Sequence, residues 1–323
     1  MVLEVLEPGL LSTIQDGGRD AAHLGVPGGG MCDRTVREIV AWLLDTDDPV
    51  AVEMTLLGAT FAVRETCVVC VTGADLGGEV VEEGRPVPPG TTALLHAGTT
   101  LRFGAARDGA RAYVSLAGGI DVPEVLGSRS TCLAGGFGGS YGRPLRAGDI
   151  LRPATAQRLD LAGRKWPGLA SGGLPEPGVT PIRVALGPHV SDVGADALDG
   201  LLGTDWTVDP RSDRMGLRLD GPPMPGGARR ELLSLPMVAG AVQLPPGGAP
   251  IVLLADHQTV GGYPVPLVVS SVDIPRLAQL RPGDRLRFDG VTIDEAFRLG
   301  MAELWASKDV EDLFERSLAK GTA

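Results

Sequence analysis

Leu145-Arg146-Ala147-Gly148-Asp149-Ile150-Leu151-Arg152 is matched later in the chain by Leu280-Arg281-Pro282-Gly283-Asp284-Arg285-Leu286-Arg287. In both, a turn carrying Gly-Asp feeds a short strand, and both lie near the end of their half of the chain. Such an echo suggests that the halves are related by duplication. Strand-like segments precede the first copy at residues 2–6, 60–63, 67–72, 91–95, 100–103, 112–117 and 148–152. They resume before and through the second at 182–186, 242–244, 250–254, 265–270 and 285–288. Short strands, turn-rich connections and no alternation with helices favour paired β-barrels.

The sequence divides accordingly. Residues 1–160 are expected to form a first barrel domain, 161–181 a Gly/Pro-rich linker, 182–290 a second barrel domain, and 291–323 a helical tail. One helix interrupts the strands: Val36, Ile39, Val40, Leu43 and Leu44 recur at helical spacing, and Thr35 with Glu38 fits a capping box. In the tail, Phe297, Met301, Leu304 and Trp305 form one apolar stripe, and Val310, Leu313, Phe314 and Leu318 another.

Composition narrows the function. The 323 residues are 43% hydrophobic but only 4% aromatic, with 47 glycines and 26 prolines, so the cores are built of Val, Leu, Ala and Ile between tight turns. A formal charge of −11 argues against a nucleic-acid partner, which demands clustered cations. Lys165, Lys308 and Lys320 are the only lysines, so a local anion site must be made of arginine. No apolar run approaches the ~20 residues that cross a bilayer. The start, Met1-Val2-Leu3-Glu4, has no signal-peptide pattern, so a cytoplasmic location and no membrane partner are expected. Cys67 and Cys70 have C-x-x-C spacing, but on a strand residues three apart face opposite sides, so no metal site is expected.

Three segments carry candidate chemistry. Ser128-Arg129-Ser130-Thr131 precedes Gly135-Gly136-Phe137-Gly138-Gly139 and Tyr141-Gly142-Arg143, a supply of hydroxyls, backbone N–H groups and arginine suited to a carboxylate or oxyanion. Ser212-Asp213-Arg214-Met215-Gly216 pairs an acid with a base. Asp256-His257-Gln258-Thr259-Val260-Gly261-Gly262-Tyr263-Pro264 follows an apolar strand, with Gln243 on the strand before it; His257 is either a general base or a structural hydrogen-bonder.

Gln15-Asp16-x-Gly-Arg19, Gly25-Val26-Pro27, Asp33, Glu53, Leu126-Gly127-Ser128-Arg129-Ser130-Thr131, Ser212-Asp213-Arg214-Met215-Gly216-x-Arg218-Leu219 and Gln258-Thr259-x-Gly261-Gly262-Tyr263-Pro264 stand in a fixed order. That order resembles the biotin-dependent carboxyltransferase-like family, also called allophanate hydrolase subunit 2, over residues 3–290. The family includes the C-type subunit of bacterial 5-oxoprolinase and the kinase-inhibitor antagonist KipA. The chain departs from the family at Gly28-Gly29-Gly30-Met31-Cys32-Asp33, at Asp20-Ala21 and at Val260.

The resemblance implies a mostly β fold of two cyclophilin-like β-barrel domains with a few short helices and a helical C-terminal tail. It implies work with a subunit-B-type (KipI-like) partner and a subunit-A-type protein on an amide or lactam, with ATP and magnesium used by the whole complex. In that role the lactam of 5-oxoproline opens to glutamate. The alternatives are a carboxyltransferase component of a urea carboxylase-like system, which would use biotin, and a non-catalytic regulatory binder of the KipA kind. Under the resemblance, Arg19, Arg129 and Arg214 hold anionic groups, and Asp33, Asp213 and Asp256 orient them or act as acid–base groups. Gln15, Ser128, Gln243, Gln258, Thr259 and Tyr263, with Gly261 and Gly262, meet the substrate.

Overall fold

The computed structural model describes residues 2–168, 173, 178–224 and 232–302. The first half is built of two sheets. One runs in the order Ile150–Leu151, Leu3–Glu7, Thr60–Val63, Thr100–Arg102, Glu79–Val80 and Arg85–Pro86. The other runs Leu11–Gln15, Ala51–Thr55, Asp108–Leu116, Cys67–Asp75 and Thr91–Leu95. Between them lies a core of Leu3, Ile14, Met54, Phe61, Cys67, Val69, Leu95 and Leu101.

The second half is a closed barrel of Val179–Leu186, Leu267–Val269, Ala241–Gln243, Ile251–Leu253, Gly216–Asp220, Trp206–Val208 and Arg285–Gly290. The last strand closes on the first in parallel and on Trp206–Val208 antiparallel. Trp206 and Phe288 fill its core. The architecture is therefore mostly β, as expected, with two barrel-like bodies and few helices.

The repeated motif takes the same shape twice. Gly148 and Gly283 both have φ of +88°, a left-handed conformation that favours glycine. Asp149 accepts from the Arg146 backbone N–H at 2.8 Å, and Asp284 from that of Arg281 at 2.8 Å. Arg143 grips Asp149 with two bonds, of 2.7 and 2.8 Å, so it braces this turn.

The helix Thr35–Leu44 buries all five residues of the expected stripe against the outer side of the second sheet. Its start differs from the expected capping box. Asp33 supplies the acceptor, taking the Thr35 N–H at 3.2 Å and hydroxyl at 2.6 Å. A reciprocal Thr-x-x-Glu cap forms instead at Thr292 and Glu295, opening a helix over 293–302. Phe297 on it is exposed; Leu304, Trp305 and the second stripe lie outside the described residues. Within the expected linker, residues 163–166 lie along the strand Thr91–Leu95 through the Thr92–Arg164 backbone bond and the Thr91–Lys165 bridge. Trp166 meets Trp42 edge-on at 5.3 Å.

Cys67 faces the core between the sheets and Cys70 the core beneath the helix, as the strand reading requires. Burial pushes the Cys67 thiol up to about 12 and Cys70 higher still. All four cysteines are free and buried. A disulfide-exchange reagent at pH 8 is therefore expected to leave the native thiols unmodified over minutes and to titrate all of them once urea unfolds the chain.

The two bodies are joined by polar groups that water does not reach. Gln279, fully buried just before the second turn motif, uses its whole amide. Its oxygen accepts from Ala110 N at 3.1 Å and Arg111 N at 3.0 Å; its nitrogen donates to Asp33 Oδ2 at 2.9 Å and Arg111 O at 3.1 Å. Arg111 returns a bond to the Ala278 carbonyl. Replacing Gln279 with Ala strands several buried groups, each costing about 1–3 kcal/mol. Gln279→Ala is expected to lower the urea midpoint well beyond an exposed control such as Asp47→Ala.

Candidate functional site

The outer face of the second sheet, where it meets the barrel, is unusually polar for a buried surface. Glu53 stands opposite Thr13 on one neighbouring strand and Tyr113 on the other, all three buried. A buried carboxylate needs compensation. It comes from both bodies: Arg214 of the barrel bonds Glu53 Oε1 through Nη1, and Arg111 on the neighbouring strand of the same sheet stands at 3.7 Å. The Cys32 backbone N–H donates to Glu53 Oε2 at 2.9 Å. Burial works against the charge on Glu53, yet Arg214 and Arg111 hold its carboxyl below the usual carboxylate range.

Arg214 is 3% exposed and uses every donor it has. Nε and Nη2 grip Asp256 at 2.8 and 3.0 Å, Nη2 also donates to the Gly30 carbonyl at 2.8 Å, and Nη1 reaches Cys32 Sγ at 3.3 Å besides Glu53. One guanidinium thus ties Asp256 in the barrel to Glu53 and the Gly30–Cys32 loop in the first body. Burial pushes the Cys32 thiol up to about 12, so beside Arg214 it stays a neutral thiol.

Next to this cluster lies Arg19, whose demands are not met. It is 7% exposed, and its Nη2 donates to the Ser130 carbonyl while Nε and Nη1 have no partner. The Phe137 ring lies 5.2 Å from its carbon. A side-chain carbon on Gly29 would come within 3.2 Å of Arg19 Nη1, 3.5 Å of Ser130 Cβ and 3.8 Å of Asp256 Oδ1, so Arg19 and Asp256 flank a backbone position that favours glycine. The Gly29 N–H donates to Ala255 O at 3.1 Å, across the two bodies. Gln15 Oε1, also without a partner, sits in a side chain that touches Thr13 and the Thr131 carbonyl. Two buried donors and one buried acceptor left unpaired around one short segment are what a polar ligand would satisfy.

The glycine cluster performs a different task from the expected cradle. Gly136 N and Gly139 N are bonded to the carbonyls of Cys132 and Arg129, both at 2.9 Å. Gly138, at φ +73°, folds its backbone against the Ser130 carbonyl and Arg19 Nη2. The cluster thus packs around the arginine, with the N–H groups of Gly136, Phe137 and Gly139 spent on carbonyls of its own loop.

Of the expected site residues, the structure gathers Arg19, Arg214, Asp256 and Gln15 at the junction, with Ser128 behind them. Gln258 donates to Gln243 Oε1 at 2.9 Å, and Gly261 lies against the Gln243 amide. His257 bonds the neighbouring Gln258 carbonyl at 2.8 Å, the structural use of a histidine. The Thr259 and Gly262 carbonyls accept from Met237 and Leu232, and Tyr263 is half-exposed. Three residues have other tasks. Asp33 is committed to the helix start and Gln279. Asp213, exposed, caps its own turn through the Met215 and Gly216 N–H groups. Arg129 points its side chain to Asp48, into a cavity of about 400 Å³ bordered by Gly118, Thr155 and Arg158. Sequence reasoning missed Arg111 and Gln279, and treated Glu53 and Asp16 as motif letters only; a buried acid in a strand of otherwise apolar pattern was the available signal.

The sequence profile described as the carboxyltransferase domain, subdomain A and B, matches residues 24–290. The chain belongs to this family. It is 32% identical over 317 residues to the C-type subunit of 5-oxoprolinase from Escherichia coli strain K12, covering 98% of this chain and 97% of that one. The crystal structure of TTHA0988 superposes with a TM-score of 0.79 at 35% identity, over 89% of this chain and 56% of that one. The urea amidolyase of K. lactis superposes at 0.82 and 26% identity, over 96% of this chain but 20% of that one. The carboxyltransferase-domain fold is thus found both as a subunit and inside longer chains. Among the described residues no group of three His, Cys, Asp or Glu is placed to hold a metal ion, and no helix is long and apolar enough to cross a membrane.

Two outcomes follow. Arg214→Ala leaves Glu53 and Asp256 without their counter-ion and is expected to cost about 3–5 kcal/mol in urea unfolding. Glu53 and Asp16 both have lowered pKa values in the fold. Their stabilisation is therefore complete above their unfolded values near pH 4 and is lost as pH falls through the folded ones. Between pH 7 and pH 3 the wild type should lose more stability than Asp16→Asn does.

Proposed function

We propose that the chain is the C-type subunit of an ATP-dependent 5-oxoprolinase complex, an amidohydrolase active only as an assembly. The observation that carries this reading is the pair formed by Arg19 and Asp256 on either side of Gly29. A cis-amide presents a carbonyl oxygen and an N–H along one edge. Arg19 Nη1 donates to the oxygen, and Asp256, whose carboxylate keeps free lone pairs beside its Arg214 bonds, accepts the N–H. As the carbonyl is attacked, negative charge grows on the oxygen facing Arg19, in a buried place where a fixed donor acts strongly. Opening breaks the lactam C–N bond and adds one water, leaving glutamate. Similarity to the Escherichia coli 5-oxoprolinase component across nearly the full length of both chains supports the same reading.

ATP with magnesium fits this chain's own site poorly. The N–H groups of Gly136, Phe137, Gly139 and Gly142 are tied to carbonyls, and no metal-holding group stands among the described residues. The nucleotide is therefore assigned to the partners, a subunit-B-type, KipI-like protein and a subunit-A-type protein, in the cytoplasm.

A second reading is favoured by the likeness to urea amidolyase: a carboxyltransferase component using biotin on another chain. Urea and the biotin ring both present C=O beside N–H, so the same pair would hold either. A KipA-like binder without turnover is the third.

The test is ATP-dependent glutamate release from 5-oxoproline by the three co-expressed subunits. Release by the wild type, and a loss on the order of 10²-fold in Arg19→Ala with unchanged melting, is expected. Biotin-dependent carboxylation of urea in its place would select the second reading. No turnover of either by a folded assembly would select the third.

A further inference from the structure

We propose that Asp16 is a positioning residue that aims the Arg19 guanidinium. What Arg19 then touches rests on the functional reading above; the clamp itself does not. Asp16 is 5% exposed, and its carboxylate collects four donors: Ser128 Oγ at 2.6 Å, Ser130 Oγ at 2.5 Å, Arg129 N at 2.6 Å and Gly18 N at 2.8 Å. Its own N–H donates to Ser130 Oγ at 3.0 Å, and its carbonyl accepts from Met31 N at 3.0 Å.

These bonds hold Arg19 from both ends. Through Gly18, at φ +85°, Asp16 fixes the backbone that enters Arg19, whose N–H donates to Gly28 O at 2.8 Å. Through Ser130 it fixes the carbonyl that receives Arg19 Nη2. Among the described residues the guanidinium has no contacting carboxylate, so this carbonyl and the Phe137 ring set its direction. All four donors to Asp16 are neutral, since the Arg129 side chain is turned to Asp48. A carboxylate satisfies them because it only accepts; an asparagine would turn an NH2 group toward N–H donors and lose part of the set. Burial raises the carboxyl pKa, but the hydroxyl and backbone donors outweigh it and keep the acid ionised.

The experiment uses the full chain labelled with 15N-arginine, the Arg19 Nε–H signal being assigned by its loss in Arg19→Lys. In Asp16→Asn that signal is expected to shift and to exchange with water at least about tenfold faster, as a freed group does. Ser128→Ala, which removes one of the four donors, should move it in the same direction and covers the case in which Asp16→Asn folds poorly. An unchanged Arg19 signal in either folded variant overturns the proposal. In the active complex, Asp16→Asn should lower kcat/KM on the order of 10²-fold, and the double variant Asp16→Asn/Arg19→Ala should be no worse than Arg19→Ala alone. Additive losses would mean that Asp16 acts otherwise than through Arg19, and would also overturn it. If Arg19→Ala leaves turnover intact, the functional reading fails while the spectroscopic result still decides the clamp.

Discussion

The structure depends on a single buried guanidinium. Arg214 carries a charge that the interior cannot tolerate alone, and it is made tolerable by two carboxylates from different bodies. Neither Glu53 nor Asp256 would be stable at that depth without it. Because all its donors are committed, the direction of each partner is fixed: Asp256 is presented to the space over Gly29, and the Gly30–Cys32 loop is drawn in under the barrel. A buried ion pair of this kind adds less stability than its distances suggest, since desolvation offsets most of the attraction. Its effect is on geometry.

Around that fixed point the two arginines have opposite conditions. Arg214 is saturated and serves the architecture. Arg19 has one carbonyl partner and an aromatic ring, and two of its nitrogens wait unpaired within a buried wall. The same residue type therefore supplies a structural cation and a recognition group within one junction. The neighbours decide which is which: acids surround the first, while serines, glycines and a phenylalanine surround the second.

Much of the fold could be read in advance because it rests on local signals. The short strand-like segments at 60–63 and 91–95, the helical stripe from Val36 to Leu44 and the doubled Gly-Asp turn all became what their local sequence indicates. The split of Cys67 and Cys70 between two cores follows from strand geometry alone. The strands Leu11–Gln15 and Ala51–Thr55 were harder, since their outward faces carry Thr13, Gln15 and Glu53, which break the apolar alternation for the sake of the junction. The site was legible in its motifs but not in its roles. Arg129 and Asp213 look as chemical as Arg19 and Asp256 in a sequence; only the course of the chain turns Arg129 toward Asp48 and leaves Asp213 closing its own turn. Gln279 gave no local signal, because its value lies entirely in groups far away along the chain.

The matched turns at Gly148 and Gly283 give the two bodies a common detail, yet the junction has made them unequal. The acids Asp33 and Glu53 stayed with the first body, while Arg214 and Gln279, which neutralise and satisfy them, belong to the second. Parting them would be costly: the first body by itself would expose ionised groups shaped to meet the second, and the second would keep a cation without Glu53. The two bodies repeat one turn but divide a single set of charges between them, so each holds groups that only the other can satisfy.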